Sequence, residues 1–334
     1  MIWWSPAMLT WEGRRVLITG ACGFVGANLT KMLMDCRATV IGLDRATSSP
    51  SLRALCGQGH PPVVVGDVTD LNDMLSLVDQ VRPDVIYHLA GQGHIKDSQE
   101  APWPAFHVNV MGTVAMLEAV RRVKPDTVVV VASSNEVYPA GGPWREEQTP
   151  EPRTLYGWSK ATQDAVARAY GRMFSLRVAC LRHTNAVGPA NPHNSHLVQA
   201  VIGALLQRRP VLLRSDGTPR KMYLAIKDVC RAYLLLAEGL ISGMVLPGTA
   251  WNAGSIGIPP SVREIVERLI VLAGAGTVEI ICGLGDAESG YEQTLDCSRL
   301  RALGWTESGI DEALRHAYEW YYAFGFDEWL RREL

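Results

Sequence analysis

Short apolar runs alternate with stretches of helical spacing along the first half of the chain. The runs at 14–19 ("RRVLIT"), 38–44 ("ATVIGLD"), 62–67 ("PVVVGD"), 84–90 ("DVIYHLA") and 126–133 ("DTVVVVAS") read as strands. Between them, 24–36, 71–81 and 103–123 carry the three-to-four spacing of amphipathic helices. A helix over 156–174 and a strand over 176–182 continue the alternation. Beyond residue 185 the pattern loosens into helices at 196–208, 227–239, 261–273 and 309–323, separated by short strands and Pro/Gly turns. Strands alternating with helices predict an α/β fold, a doubly wound parallel sheet with helices on both faces. The division expected is 12–184 for the sheet domain, preceded by an arm at 1–11. Residues 185–334 would form mainly a smaller, interleaved substrate-binding lobe, with some segments returning to the sheet.

Composition narrows the partners. Hydrophobic residues make up 47% and charged residues 20% of 334 positions, as in an ordinary globular protein. The net charge of −2 and the lack of a basic stripe argue against nucleic acid. No apolar run reaches membrane length, and "MIWWSPAMLTWEG" lacks the basic start of a signal peptide. Seven cysteines (22, 36, 56, 180, 230, 282, 297), widely spaced and without C-x-x-C, read as reduced core residues and predict a cytoplasmic protein. His183, His193 and His196 lack the spacing of a metal site, so no metal is expected. The aromatic run "YEWYYAF" (318–324) reads as a helix packing its apolar face.

Candidate chemistry sits where strands end. "VLITGACGFVG" places Gly20, Gly23 and Gly26 between a strand and a helix, where a tight turn lets backbone approach a pyrophosphate. The helix starting at Phe24 would aim free N–H groups at that anion. Asp44, ending the second strand, would accept hydrogen bonds from ribose hydroxyls and repel a 2′-phosphate, which selects NAD. Arg45 beside it leaves NADP open. Asp67 ends the third strand and either meets the adenine or caps the helix beginning near Leu71. In "YGWSK", Tyr156 and Lys160 lie one helical turn apart on one face. A nearby ammonium favours the phenolate, so Lys160 is expected to lower the Tyr156 pKa for proton removal from a sugar hydroxyl.

The chain resembles the extended short-chain dehydrogenase/reductases that act on nucleotide sugars, a Rossmann-type family. The resemblance spans about 12–323. It rests on "TGACGFVG", "GDVTD", "YHLAGQ", "NVMGT", "SSNEVY", "YGWSK", "LRHTNAVGP", "SDGTPRKMYLAIKDVCRAYLLLAE" and "LDCSRLRALGW". It is most similar to the 4,6-dehydratases of the CDP-glucose and GDP-mannose types, and "HLAGQ" is also similar to the GDP-4-keto-6-deoxymannose reductases. The resemblance implies a catalytic set of Ser134, Tyr156 and Lys160. Ser133, Ala90 and Asn109 would lie near the cofactor or that set. Val25, Val68, Leu89, Gly91 and His183 complete the implied cofactor contacts. Relatives are usually dimers through helices matching 103–123 and 156–174, so a homodimer or homotetramer is expected.

Glu136 gains a task from the same resemblance. In a dehydratase a carboxylate there would remove the C5 proton, whereas a 4-epimerase or a reductase has no use for it. Asn135 departs from relatives that carry an aspartic acid at its position. A decarboxylase on the same scaffold and a non-catalytic dinucleotide-binding protein stay open. On the substrate side the resemblance implies Gln92, Asn135, Asn185 and Leu197. "GTPRKMYLAIKDV" has Lys221 and Met222 where an arginine and an aspartate are usual, and "GLGDAESGYEQTLD" (283–296) lacks the arginine expected for a diphosphate. Arg214, Arg220 or Lys221 would take over that task.

Overall fold

The computed structural model describes residues 10–283 and 291–333. Seven strands form one parallel sheet: β1 (Arg15–Thr19), β2 (Thr39–Asp44), β3 (Val63–Val65), β4 (Val85–His88), β5 (Val128–Ala132), β6 (Val178–His183) and β7 (Thr249–Ala253). Their spatial order is β7-β6-β5-β4-β1-β2-β3. The chain therefore winds outward in both directions from β1 and β4. In such a sheet ligands bind outside the carboxyl ends of the strands where the order reverses.

Strand side chains alternate between two apolar layers, as the two-residue period requires. Val16, Ile18, Val85, Tyr87, Val128, Val130, Ala179 and Leu181 pack on α1 (Phe24–Asp35) and on α5 (Ile226–Ser242). Leu17, Ile86, Val129, Val131, Val178 and Cys180 face α2 (Leu71–Val81), α3 (Gly112–Val123) and α4 (Leu155–Phe174). Both faces are thus covered, which is why the central strands read as unbroken apolar runs. β3 is the edge, and its Val64 and Val65 are exposed. Of the expected arm, residues 1–9 lie outside the described residues. Trp11 is buried and donates from Nε1 to Glu238 Oε1 at 2.7 Å.

The continuous helix expected over 103–123 is interrupted. An α-helical turn, Pro102–Phe106, runs into a π-helical turn, His107–Met111, before α3 begins. The wider turn carries Asn109, wholly buried, toward α4, where its Nδ2 donates to Ser159 Oγ at 2.8 Å. Buried polar partners override the periodic pattern here, as is common at functional sites.

A second apolar cluster joins helices Leu197–Leu206, Val262–Ala273 and Ile310–Phe324. Between these run short parallel pairs, Asn185–Val187 with Tyr223–Ala225 and Val211–Leu213 with Ile280–Cys282. Tyr321 in the aromatic run is buried and exchanges hydrogen bonds with the Asn191 backbone, while Tyr322 faces outward. The helix does pack one face.

Candidate active site

The glycine triplet forms the turn from β1 into α1. Gly20 has φ +73, and a Cβ on it would stand 2.8 Å from Ala90 N. A Cβ on Gly26 would come within 2.0 Å of Gly20 O. No side chain caps α1, so its first N–H groups are available to an anion. Asp44 closes the turn, accepting from Cys22 N at 2.9 Å and Arg45 N at 2.7 Å. Each carboxylate oxygen keeps acceptor capacity for a ribose hydroxyl. These residues fit a dinucleotide. Asp67 turns out not to cap α2: that is Asp70, which accepts from Asn72 N and Asp73 N. Asp67 instead accepts from Thr69 N and Oγ1, bonds that hold its carboxyl below the usual value.

Behind this turn stands a buried polar column. Thr19 Oγ1 meets His88 Nδ1 at 2.9 Å, and His88 Nε2 meets Thr113 Oγ1 at 3.0 Å. Gln163 Nε2 donates to Thr113 Oγ1, and Lys160 Nζ donates to Gln163 Oε1, both at 2.9 Å. Lys160 Nζ also donates to Ala132 O at 2.9 Å. Burial, with Lys160 adding to it, pushes the His88 pKa down to about 3. His88, Thr113 and Gln163 escaped the sequence reading because a polar residue inside a strand or helix gives no periodic signal.

Lys160 and Tyr156 share α4 as expected, but the titration runs the other way. Burial pushes Tyr156 up to about 12, Ser134 hydrogen-bonding to the phenol opposes this, and the Glu136 charge adds to it. Burial also brings Lys160 down to about 8. The ammonium is directed at Ala132 and Gln163, so desolvation governs both groups.

Ser134, Asn135 and Glu136 follow β5 and enter a short 3₁₀ turn capped by Ser134, whose Oγ accepts from Glu136 N at 3.1 Å. The turn lies directly on α4: a Cβ on Gly157 would reach Glu136 O at 2.4 Å. Glycine beside Tyr156 thereby lets the Glu136 loop close onto the phenol, a second feature absent from the sequence reading. Asn135 is nearly buried and donates from Nδ2 to Gln293 Oε1 at 2.5 Å. Gln293 returns hydrogen bonds to the carbonyls of Asn135, Tyr138 and Pro139. Below the loop, buried Asp164 pairs with Arg182 and Arg168.

The other predicted residues are placed as follows. Leu89, Ala90 and Gly91 leave β4 at the crevice, and Asn109 clasps Gln92 through its backbone N and O. Gly91 must be glycine, since a Cβ would stand 2.6 Å from Asn109 Oδ1. Val68 is buried against Gly112, and His183 lies on Tyr233 with its pKa lowered by burial. Asn185 donates to Met222 O at 3.1 Å, and Leu197 opens its helix. Arg214 donates weakly to Ser195 O at 3.4 Å. Arg220 spends its guanidinium on Glu264 and Pro259 O. Lys221 lies over the Tyr291 ring, which also receives Arg153 at 5.1 Å. Of the stretch 283–296, residues 284–290 lie outside the described residues. His94 Nε2 contacts His193 Nδ1 at 3.0 Å and both rings touch His196. Among the described residues no His, Cys, Asp or Glu group is placed to hold a metal.

A Rossmann sheet, a glycine cradle with an acid at the second strand, and a tyrosine–lysine turn define a dinucleotide-dependent enzyme. The chain belongs to the NAD dependent epimerase/dehydratase family, whose profile matches residues 16–254. It is 31% identical to the UDP-glucose 4-epimerase of Mycolicibacterium smegmatis over 267 residues, covering 78% of this chain and 83% of that one. It is 26% identical to the CDP-glucose 4,6-dehydratase of Salmonella typhimurium, covering 97% and 93%. The dTDP-glucose 4,6-dehydratase of Streptomyces venezuelae, solved with NAD bound, matches with a TM-score of 0.83 at 26% identity, covering 95% of this chain and 99% of that one.

Proposed function

We propose that the protein is a nucleotide-sugar 4,6-dehydratase with NAD as its retained cofactor. One observation carries this reading: the Ser134–Glu136 turn lies against α4 beside Tyr156, with Glu136 O over Gly157 and Ser134 Oγ accepting from Glu136 N. Three groups suited to proton transfer therefore meet at one place. NAD, bound at the glycine turn, supplies the acceptor for a C4 hydride and the donor of that hydride to C6. Tyr156, with Ser134, takes the proton of the 4-hydroxyl. The resulting ketone acidifies C5–H, and Glu136 removes that proton. Glu136 passes it to the departing C6 hydroxyl, which leaves as water, and a proton from solvent returns to C5. Asn135, an amide held by Gln293, has no acid proton to give. Arg153 and Lys221, both over the Tyr291 ring, with Asn185 and Arg214, are the groups assigned to the nucleotide diphosphate.

Mass spectrometry tests this on CDP-, GDP-, UDP- and dTDP-sugars incubated with NAD and either wild type or Glu136→Gln. The expected product is lighter by one water and absent with the variant. Equal-mass isomers from both proteins would replace this reading with a 4-epimerase, which Asn135 and the 31% identical M. smegmatis epimerase favour.

The same proposal includes a homodimer. Trp103, Met111, Trp158, Met173 and Phe174 on the 95–123 and 155–174 segments are large apolar residues left exposed. A cytosolic location is supported by seven cysteines that are all free, and subcellular fractionation checks it. Among the described residues no helix is long and apolar enough to cross a membrane.

A further inference from the structure

We propose that Gln163 is a positioning residue for Lys160, set by the buried column that runs back to β1. The inference rests on the assignment of Lys160 to the active site and adds what orients it.

Counting hydrogens fixes the direction of every bond in the column. An ammonium has donors only, so Gln163 must turn Oε1 to Lys160 and Nε2 to Thr113. The Thr113 hydroxyl gives its proton to Asn109 O at 2.8 Å. Its two lone pairs then accept from Gln163 Nε2 and from His88 Nε2. His88 therefore carries its proton on Nε2, and Nδ1 accepts from the Thr19 hydroxyl, which in turn accepts from Ala90 N at 3.2 Å. A flip of Gln163 would set its NH2 group against the Lys160 ammonium, donor facing donor, so the orientation is fixed although one amide N–H is left over. Thr19, His88, Thr113 and Gln163 are all fully buried, so water offers no substitute.

The consequence falls on the ammonium. Ala132 O and Gln163 Oε1 take two of its three N–H bonds, which stops rotation about the Cε–Nζ axis and aims the third. A Cβ on Gly91 would stand 3.3 Å from Nζ, so this glycine leaves the space before it open. The titratable neighbours around Lys160 are His88 on β4, Cys180 and His183 on β6, and Tyr156 one turn earlier on α4. Both histidines are pushed toward neutrality by burial and the thiol is raised by it. None of them supplies a negative charge near neutral pH, so the neutral acceptors Ala132 O and Gln163 Oε1 keep the ammonium protonated.

Lys160 can be titrated directly by NMR in protein labelled with [ε-13C]lysine, its signal assigned by loss in Lys160→Arg. Gln163→Met removes the acceptor at similar volume, and its Lys160 midpoint should fall by about one pH unit. Gln163→Glu keeps an acceptor and adds negative charge, and its midpoint should rise. On a sugar nucleotide that wild type turns over, Gln163→Met should lose roughly tenfold in kcat with KM within about twofold, and Gln163→Glu should recover part of the loss. A Lys160 midpoint unmoved in both variants would overturn the proposal, even if kcat falls in each. If Gln163→Met does not fold, the direction of the Gln163→Glu shift decides alone. The titration needs no turnover, so a shifted midpoint in a chain that dehydrates no sugar sinks only the dehydratase reading.

Discussion

Gly23 and Gly26 are alike in sequence but not in space, which allows a paired test of the cofactor cradle. An alanine methyl at Gly26 would lie 2.0 Å from Gly20 O, about 1 Å inside any approach real Cβ atoms make. The obstructing atom belongs to the backbone of the same turn, so no rotamer relieves it. At Gly23 the distance to the same oxygen is 3.3 Å, and φ is −74, which alanine adopts without strain. Overpacking of this kind costs about 1–3 kcal/mol. If the turn opens to relieve it, the N–H groups of α1 leave their line to the pyrophosphate. Gly26→Ala should therefore weaken NAD by about 10- to 100-fold, taking ~1.4 kcal/mol per decade. Gly23→Ala should stay within about threefold, an allowance of ~0.7 kcal/mol on the same scale. Isothermal titration with NAD, alongside thermal unfolding without it, separates lost affinity from lost fold. Equal affinity in the two variants would refute the placement of the cofactor on this turn.

Two further outcomes follow from burial. Asp164→Asn leaves the buried Arg182 charge without its partner and should cost about 3–5 kcal/mol in denaturant unfolding. The Asp164 carboxyl is depressed below its ordinary 3.8, its desolvation outweighed by Arg182 and Arg168. Its contribution is therefore complete above that value and drains away as pH falls through the folded pKa, so wild type and variant should converge in strong acid. A difference constant down to pH ~2 would show that the fold does not hold Asp164 below its ordinary pKa. For the dimer, Trp103→Asp should shift sedimentation from dimer to monomer at micromolar protein, and a monomeric wild type would remove the proposed interface.

The sheet and the glycine turn were readable because their physics is local. Buried parallel strands must be apolar on both faces, and backbone crowding at Gly20 and Gly26 admits nothing but glycine. Tyr156 and Lys160 were readable because one helical turn fixes their neighbourhood. What escaped depends on distance along the chain. Asn135 is held by Gln293, 158 residues away, and no spacing rule announces that bond. Gln163 shares a helix face with Lys160 and Ala167, yet its spacing names no polar partner until Thr113 and Lys160 are found around it. Arg220, expected near the diphosphate, also pairs with Glu264 of the helix Val262–Ala273, a partner its place in the sequence does not show. Gly157 shows its purpose only once the Glu136 carbonyl lies against it.

Burial acts in opposite directions on the two titrating groups of α4, raising Tyr156 and lowering Lys160. A phenol raised above its ordinary value and an amine lowered below its own make a proton transfer from Tyr156 to Lys160 uphill. Lys160 is therefore poorly suited to act as the base for Tyr156. Its part is that of a fixed cation, and a cation must be aimed and kept charged, which is the work of Ala132 O and Gln163 Oε1. In the proposed mechanism the protons move on Tyr156 and Glu136, and Ser134 Oγ accepts from Glu136 N in the turn beside them. Both segments would then carry a mobile proton, Glu136 after β5 and Tyr156 on α4, while Lys160 on α4 supplies the fixed charge. Gly157, which lets the two segments touch, joins them.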